Sequence, residues 1–213
     1  GGGGRGGGRR ARARGAAAAR ARPRPPPVPA LVVEYDNEAG AYAITSHLLG
    51  AGHRKIALIG YQPGHTTGED RVAGYLRALS DHGVPREEAI LHGIGFGQHN
   101  GYEAIRDLLE KADGRPEFTA VFAGDDGVAA ATVVALRERG LRVPDDISVV
   151  GYNDDPVASD ITPGLTTVHI PAEEMGRTAV RLALSGSPRA GQERHLLGTH
   201  IVIRESVRGV RLG

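Results

Sequence analysis

Two short apolar runs, each opening onto acidic residues, constrain this chain most. Ala120-Val121-Phe122-Ala123-Gly124 runs into Asp125-Asp126, and Ile147-Ser148-Val149-Val150-Gly151 runs into Tyr152-Asn153-Asp154-Asp155. Between them, Val128, Ala131, Val134 and Ala135 share one face of a helix from Gly127 to Arg139, which Gly140 stops. Strand, helix and strand in this order make a parallel unit, and open α/β sheets bind ligands at the carboxyl ends of their strands. Several polar side chains therefore gather around one crevice. Their chemistry suits a hydroxyl-rich ligand and a sensor more than a catalyst.

The same alternation runs through the body of the chain. Leu31-Val32-Val33 is apolar, and Asp36-Asn37 offers N-caps to a helix with the stripe Ala39, Ala43, Ile44, Leu48 and Ala51, ended by Gly50 and Gly52. Lys55 to Gly60 reads as a buried strand. Thr66-x-x-Glu69 reads as a capping box for a helix to about Leu79, with Gly83 beyond it. Ala89 to His92 is a short strand, and Asn100 to Ala112 a helix whose Ile105, Leu108 and Leu109 are apolar. After the two signal strands, Leu165 to Val168 is a strand or crossover, Ala172 to Leu184 a helix, and His200 to Arg204 a final strand. This order predicts an α/β fold, a parallel sheet with helices on both faces.

Residues 1–30 have another texture, rich in Gly, Arg and Pro, and cannot bury enough apolar surface to offset the entropy of ordering, which predicts disorder. Residues 1–33 hold eight Arg and no acidic residue, so the net charge of +1 leaves the remainder at −7. A basic tail can bind RNA, whereas an acidic body does not attract phosphate by itself. A twin-arginine export signal is a poor fit, because no apolar region follows Arg9-Arg10. A solvated tail, or sequence from a misplaced start, is the favoured reading. The chain has no Cys, which excludes disulfides and thiolate metal sites and fits a reducing, cytoplasmic compartment. No apolar run approaches the roughly 20 residues needed to span a bilayer.

Enzyme motifs fail on inspection. Gly93-x-Gly95-x-Gly97-Gln98 lacks the last glycine of a dinucleotide fingerprint, Gly60 to Thr66 lacks P-loop spacing and its lysine, and no nucleophile elbow occurs. No cofactor is expected. The pairs Asp125-Asp126 and Asp154-Asp155 admit three uses: a magnesium site, helix capping, or acceptance of ligand hydroxyls, the last favoured. Arg71 lies in the first turn of a helix, where a cation opposes the macrodipole. Its planar fork can chelate vicinal hydroxyls or a carboxylate, against the alternative of an ordinary surface arginine. Phe96, in a Gly-rich loop after a strand, stacks on a ligand or joins the core.

Longer motifs carry a resemblance. Asp36-Asn37-Glu38-Ala39-Gly40-Ala41, His47-Leu48-Leu49-x-x-Gly52-His53-Arg54-Lys55-Ile56-Ala57, Arg71-Val72-Ala73-Gly74-Tyr75, Val143-Pro144-Asp145-Asp146-Ile147 through Tyr152, and Thr162-Pro163-x-Leu165-Thr166-Thr167-Val168 resemble the LacI/GalR family of bacterial transcription regulators. The match covers about residues 32–207 in order.

The resemblance implies a two-lobed, periplasmic-binding-protein-like effector domain, usually dimeric. It binds a small sugar or nucleoside-like effector between its lobes and so alters the affinity of a helix-turn-helix headpiece for operator DNA. Carried over onto this chain, the ligand positions are His65, Thr67, Arg71, Phe96, Asp125 and Asn153, with no metal. Asn153 stands where the family usually has Asp, so the hydroxyl pattern read there should differ. The family's headpiece and most first-lobe strands would precede Asp36, where this chain has its Arg/Gly/Pro tail. The expectation is therefore a partial first lobe from 31–54 and 165–190 and a complete second lobe from 55–164 and 191–213. Operator DNA would be reached only through a headpiece missing here. The alternatives are a transporter's solute-binding protein, which predicts an export signal, and a degenerate fragment, which predicts no cooperative fold.

Overall fold

A computed structural model describes residues 32–93, 98–111, 116–185 and 194–210. At its centre lies a four-stranded parallel sheet in the order β3-β2-β4-β5, formed by β2 (Ile56–Ile59), β3 (Ile90–His92), β4 (Ala120–Ala123) and β5 (Ser148–Val150). Leu58 pairs with Phe122, and Phe122 with Val150. Period-two alternation divides these strands between two cores. Ile56, Leu58, Ala120, Phe122 and Val150 face one side, and Ala57, Ile59, Val121, Ala123 and Val149 the other. Each of these side chains is fully buried.

Helices α1 (Asn37–Gly50) and α2 (Thr66–Asp81) cover the first face, and α3 (Gln98–Lys111) and α4 (Asp126–Glu138) the second. This is the doubly covered parallel sheet that the alternation predicts. Asp36 caps α1 by accepting the Ala39 N–H at 2.8 Å, and Asp125 caps α4 by accepting the Val128 N–H at 2.7 Å. The capping box at Thr66 does not form. Thr66 is already helical, and His65 is the N-cap without a side-chain cap bond.

The remaining elements depart from the expected division. Helix α1, expected within a first-lobe remnant, packs on the central sheet, because Ala41, Ile44 and Leu48 enter the same core as Ile56, Leu58 and Phe122. β1 (Val32–Tyr35) pairs in parallel with β7 (Arg194–Leu197), with Val32 opposite Arg194, so β7 joins the first strand and not the larger sheet. Helix α6 (Ala172–Leu184) lies against β1. β6 (Thr167–His169) and β8 (His200–Val202) run antiparallel, and Thr166 bridges to Val150 at the sheet edge. A short α5 (Pro156–Asp160) separates β5 from β6. Residues 1–30, for which disorder is expected, lie outside the described residues, as does Phe96. Among the described residues no helix is long and apolar enough to cross a membrane.

Candidate functional site

The chain leaves β2 for β3 on one side and later returns to place β4 on the other, so the switch of direction falls between β2 and β4. Such a switch opens a crevice beyond the strand ends. Arg71 occupies it. The residue sits on α2 yet is only 5 % exposed, because its side chain turns inward across the ends of the strands.

Its guanidinium joins four pieces of chain. Nε donates to Asn37 Oδ1 at 3.0 Å, Nη1 donates to the Gly124 carbonyl, and Nη2 reaches the Tyr35 hydroxyl at 3.5 Å and Asn153 Oδ1 at 3.4 Å. The cation lies 3.7 Å above the centre of the buried Tyr152 ring. Burial pulls its pKa below the ordinary arginine value, and Tyr152, Tyr35 and Asp125 oppose that pull. Among the described residues none of its hydrogen-bond partners is a carboxylate. A buried cation fixed by neutral acceptors is costly to keep for stability alone.

Asn153 stands on the other wall. Its backbone is left-handed at φ 108°, and Asp154 follows at φ 64°. Non-glycine residues rarely adopt such angles, and they persist where the surroundings over-determine them. The Asn153 amide oxygen faces Arg71, while its nitrogen donates to Asp155 Oδ2 at 3.3 Å. A recess of about 470 Å³ opens beside it, bordered by Asp154, Asp155, His169, Ile170 and the start of α6.

The acidic pairs resolve into separate roles. Asp125 caps α4. Asp126 is fully buried and accepts the Thr167 hydroxyl at 2.6 Å and the Asp155 N–H at 2.8 Å. Burial pushes its pKa up to about 6, against the pull of those two hydrogen bonds. Asp154 binds Arg204 at 2.7 Å and His169 at 3.0 Å. Burial pushes its pKa up, but the hydrogen bonds and charges of Arg204 and His169 outweigh that and leave it lowered. These carboxylates point at donors of the chain itself. Among the described residues no three or more His, Asp or Glu side chains form a metal-holding group.

Of the six positions named from the sequence, the structure brings Arg71 and Asn153 into contact, and Asp125 follows the Gly124 carbonyl that Arg71 grips. Thr67 precedes Arg71 by one helical turn and is half-buried; His65 is exposed at the N-cap. Phe96 cannot be placed against them, lying outside the described residues. Sequence reasoning missed Tyr35, Asn37 and Tyr152, which hold the guanidinium. Asn37 reads as a helix-capping residue, and nothing local signals that its side chain meets an arginine on another helix.

A sequence model described as a periplasmic binding protein-like domain matches residues 45–207. The HTH-type transcriptional regulator CelR of Thermobifida fusca is 38% identical over 176 residues, covering 82% of this chain and 51% of that protein. The HTH-type transcriptional repressor PurR of Erwinia tasmaniensis is 44% identical over 146 residues, 68% of this chain and 42% of the repressor. The solved structure of a transcriptional regulator CelR–cellobiose complex superposes with a TM-score of 0.78 at 36% identity, covering 85% of this chain and 55% of that one. The chain thus spans about half the length of the curated relatives it matches. With a family model over most of its length and regulators of this type as relatives, the chain belongs to the periplasmic binding protein-like domain family, in the branch found in LacI-type regulators.

Proposed function

We propose that this chain is the effector-sensing domain of a LacI-type transcription regulator and no enzyme, working in the cytoplasm on a small sugar or nucleoside-like effector. The observation that carries this reading is Arg71, a buried guanidinium aimed at the strand ends and held by Tyr35, Asn37, Gly124 and Asn153. Such a fork is oriented before any ligand arrives, which lowers the entropy cost of gripping hydroxyls. His65, Thr67, Phe96, Asp125 and Asn153 complete the proposed contact set. A relative solved with cellobiose supports a sugar.

Effector binding would bias the domain between two arrangements, and operator DNA would feel that bias through a headpiece, in a dimer. The test is thermal unfolding against cellobiose, other sugars and nucleosides. A compound that binds only the native state at a hundredfold excess over its Kd stabilises it by about 2.7 kcal/mol. A melt raised by one compound class supports the sensor. A cooperative melt indifferent to every compound defeats it.

A further inference from the structure

Asp126 is fully buried, and its carboxylate ties three separate pieces of chain together. Oδ1 accepts from the Thr167 hydroxyl on β6, and Oδ2 accepts from the Asp155 N–H in the loop after β5. Its own N–H, at the start of α4, donates to the Tyr152 carbonyl at 3.0 Å. Gly151 lies so close that a Cβ there would run into the carboxylate, so the glycine makes room for it. The gripped loop holds the left-handed Asn153 and Asp154. A backbone of that kind stays put only while its neighbours hold it. Other ties on it include the Asn153 N–H to the Val168 carbonyl, the Ile170 N–H to the Asn153 carbonyl, and the Asp154 pairs with Arg204 and His169. Only the Asp126 carboxylate among these reaches from the α4 start, beside Asp125.

Resting on the effector-sensing reading, we propose that Asp126 is a positioning residue for effector recognition. By clamping the 153–155 loop to β6 and to the start of α4, it sets the Asn153 amide against Arg71. A carboxylate suits this task because it accepts in two directions at once, whereas apolar side chains leave both donors unpaired. The burial that opposes its ionisation makes it an expensive choice for packing alone.

The geometry distinguishes two substitutions. Asp126→Ala strands the Asp155 N–H and the Thr167 hydroxyl. Asp126→Asn can accept from the Asp155 N–H while donating to the Thr167 oxygen, which is free to turn round. The test measures amide hydrogen exchange at Asp155 and cellobiose affinity by calorimetry, on the full chain and both variants.

The clamp predicts that Asp126→Ala speeds exchange at Asp155 and weakens cellobiose binding, each by about tenfold or more, while β2 and β4 amides stay protected. Asp126→Asn should restore most of both. Unchanged exchange at Asp155, or a loosened loop with unchanged affinity, overturns the proposal. If Asp126→Ala fails to fold, Thr167→Val removes only the β6 anchor and should shift both readouts in the same direction by less; no shift in either overturns the proposal. A parent chain that binds no compound of the sugar and nucleoside panel would defeat the sensing reading and the recognition role together. Exchange at Asp155 would still decide whether the clamp exists.

Discussion

The two ends of the central sheet are built on different terms. At the amino end, His53 is 3 % exposed and fastens the segment after β8 to the sheet. Its Nε2 donates to the Arg208 carbonyl at 3.0 Å, since a carbonyl only accepts, and lies 3.1 Å from Ser148 Oγ. Its Nδ1 takes the Thr119 hydroxyl at 2.8 Å. The Arg208 N–H returns to Ser148 Oγ at 3.0 Å. Neutral groups satisfy one another there, beside a cavity of about 390 Å³. At the carboxyl end the buried groups are charged, Arg71 with neutral partners and Asp126 against its solvation, and the backbone between them is left-handed. A cavity by itself is thus no guide to function, since both ends have one. The end that retains costly charges and strain is the one to read as a binding site.

That contrast can be broken by substitution. The largest loss of stability should come from the amino end. His53→Ala removes a buried ring and leaves the Arg208 carbonyl only the Ser148 hydroxyl, at 3.3 Å, costing about 3 kcal/mol in a urea melt. The response to cellobiose should persist; its disappearance would join the two ends and end the distinction. At the other end, Arg71→Lys keeps the charge but loses the fork. We expect about 2 kcal/mol less stability and cellobiose binding at least about tenfold weaker. Full affinity with lysine would mean that charge alone matters there.

Acid should move the two ends in opposite directions. The folded-state pKa of Asp126, about 6, lies above its ordinary 3.8, so the folded chain holds that proton more tightly. Stability from this group therefore falls as pH rises from about 4 to 6, and returns on acidification. The His53 pKa is pulled below 6.5, chiefly by burial, so stability is lost as pH falls below 6.5. Between pH 7 and 5, Asp126→Asn should steepen the acid loss by about 1–2 kcal/mol, and His53→Gln should flatten it. Matching pH profiles in the parent and both variants would show that neither group governs stability. The smallest effect belongs to the rim. Arg177 and Glu173 pair with side chains 74% and 87% exposed, so Arg177→Ala should cost about 0.5 kcal/mol or less in the same melt.

How far the sequence could be read tracks the range of the interaction. β2, β4 and β5 stood out because buried parallel strands write themselves as unbroken apolar runs, and α1 and α4 because their Asp caps act within three residues. The strand Arg194–Leu197 was missed because its pattern is weak and its partner is the distant Val32–Tyr35. The Thr66 capping box failed because sequence spacing cannot say which residue leaves the helix first. At the site, the strand-end rule picked Asp125 and Asn153, and a cation in the first turn of a helix picked Arg71, but the residues that orient them act across the fold. Asp126 was grouped with its neighbour as a pair open to magnesium, capping or ligand hydroxyls, although it turns inward to Thr167, 41 residues on.

The pairing of β1 with β7 also bears on how the chain is made. A ribosome delivers Val32–Tyr35 well before Arg194–Leu197, so β1 must wait for its neighbour while the intervening chain is made. The four-stranded sheet with α1 to α4 is complete by Val150 and can collapse first. Throughout that interval Tyr35, one of the groups around the guanidinium, hangs on a strand with an open edge. The crevice is therefore among the last parts of the molecule to set, and the nascent chain is open to edge-to-edge association until β7 arrives.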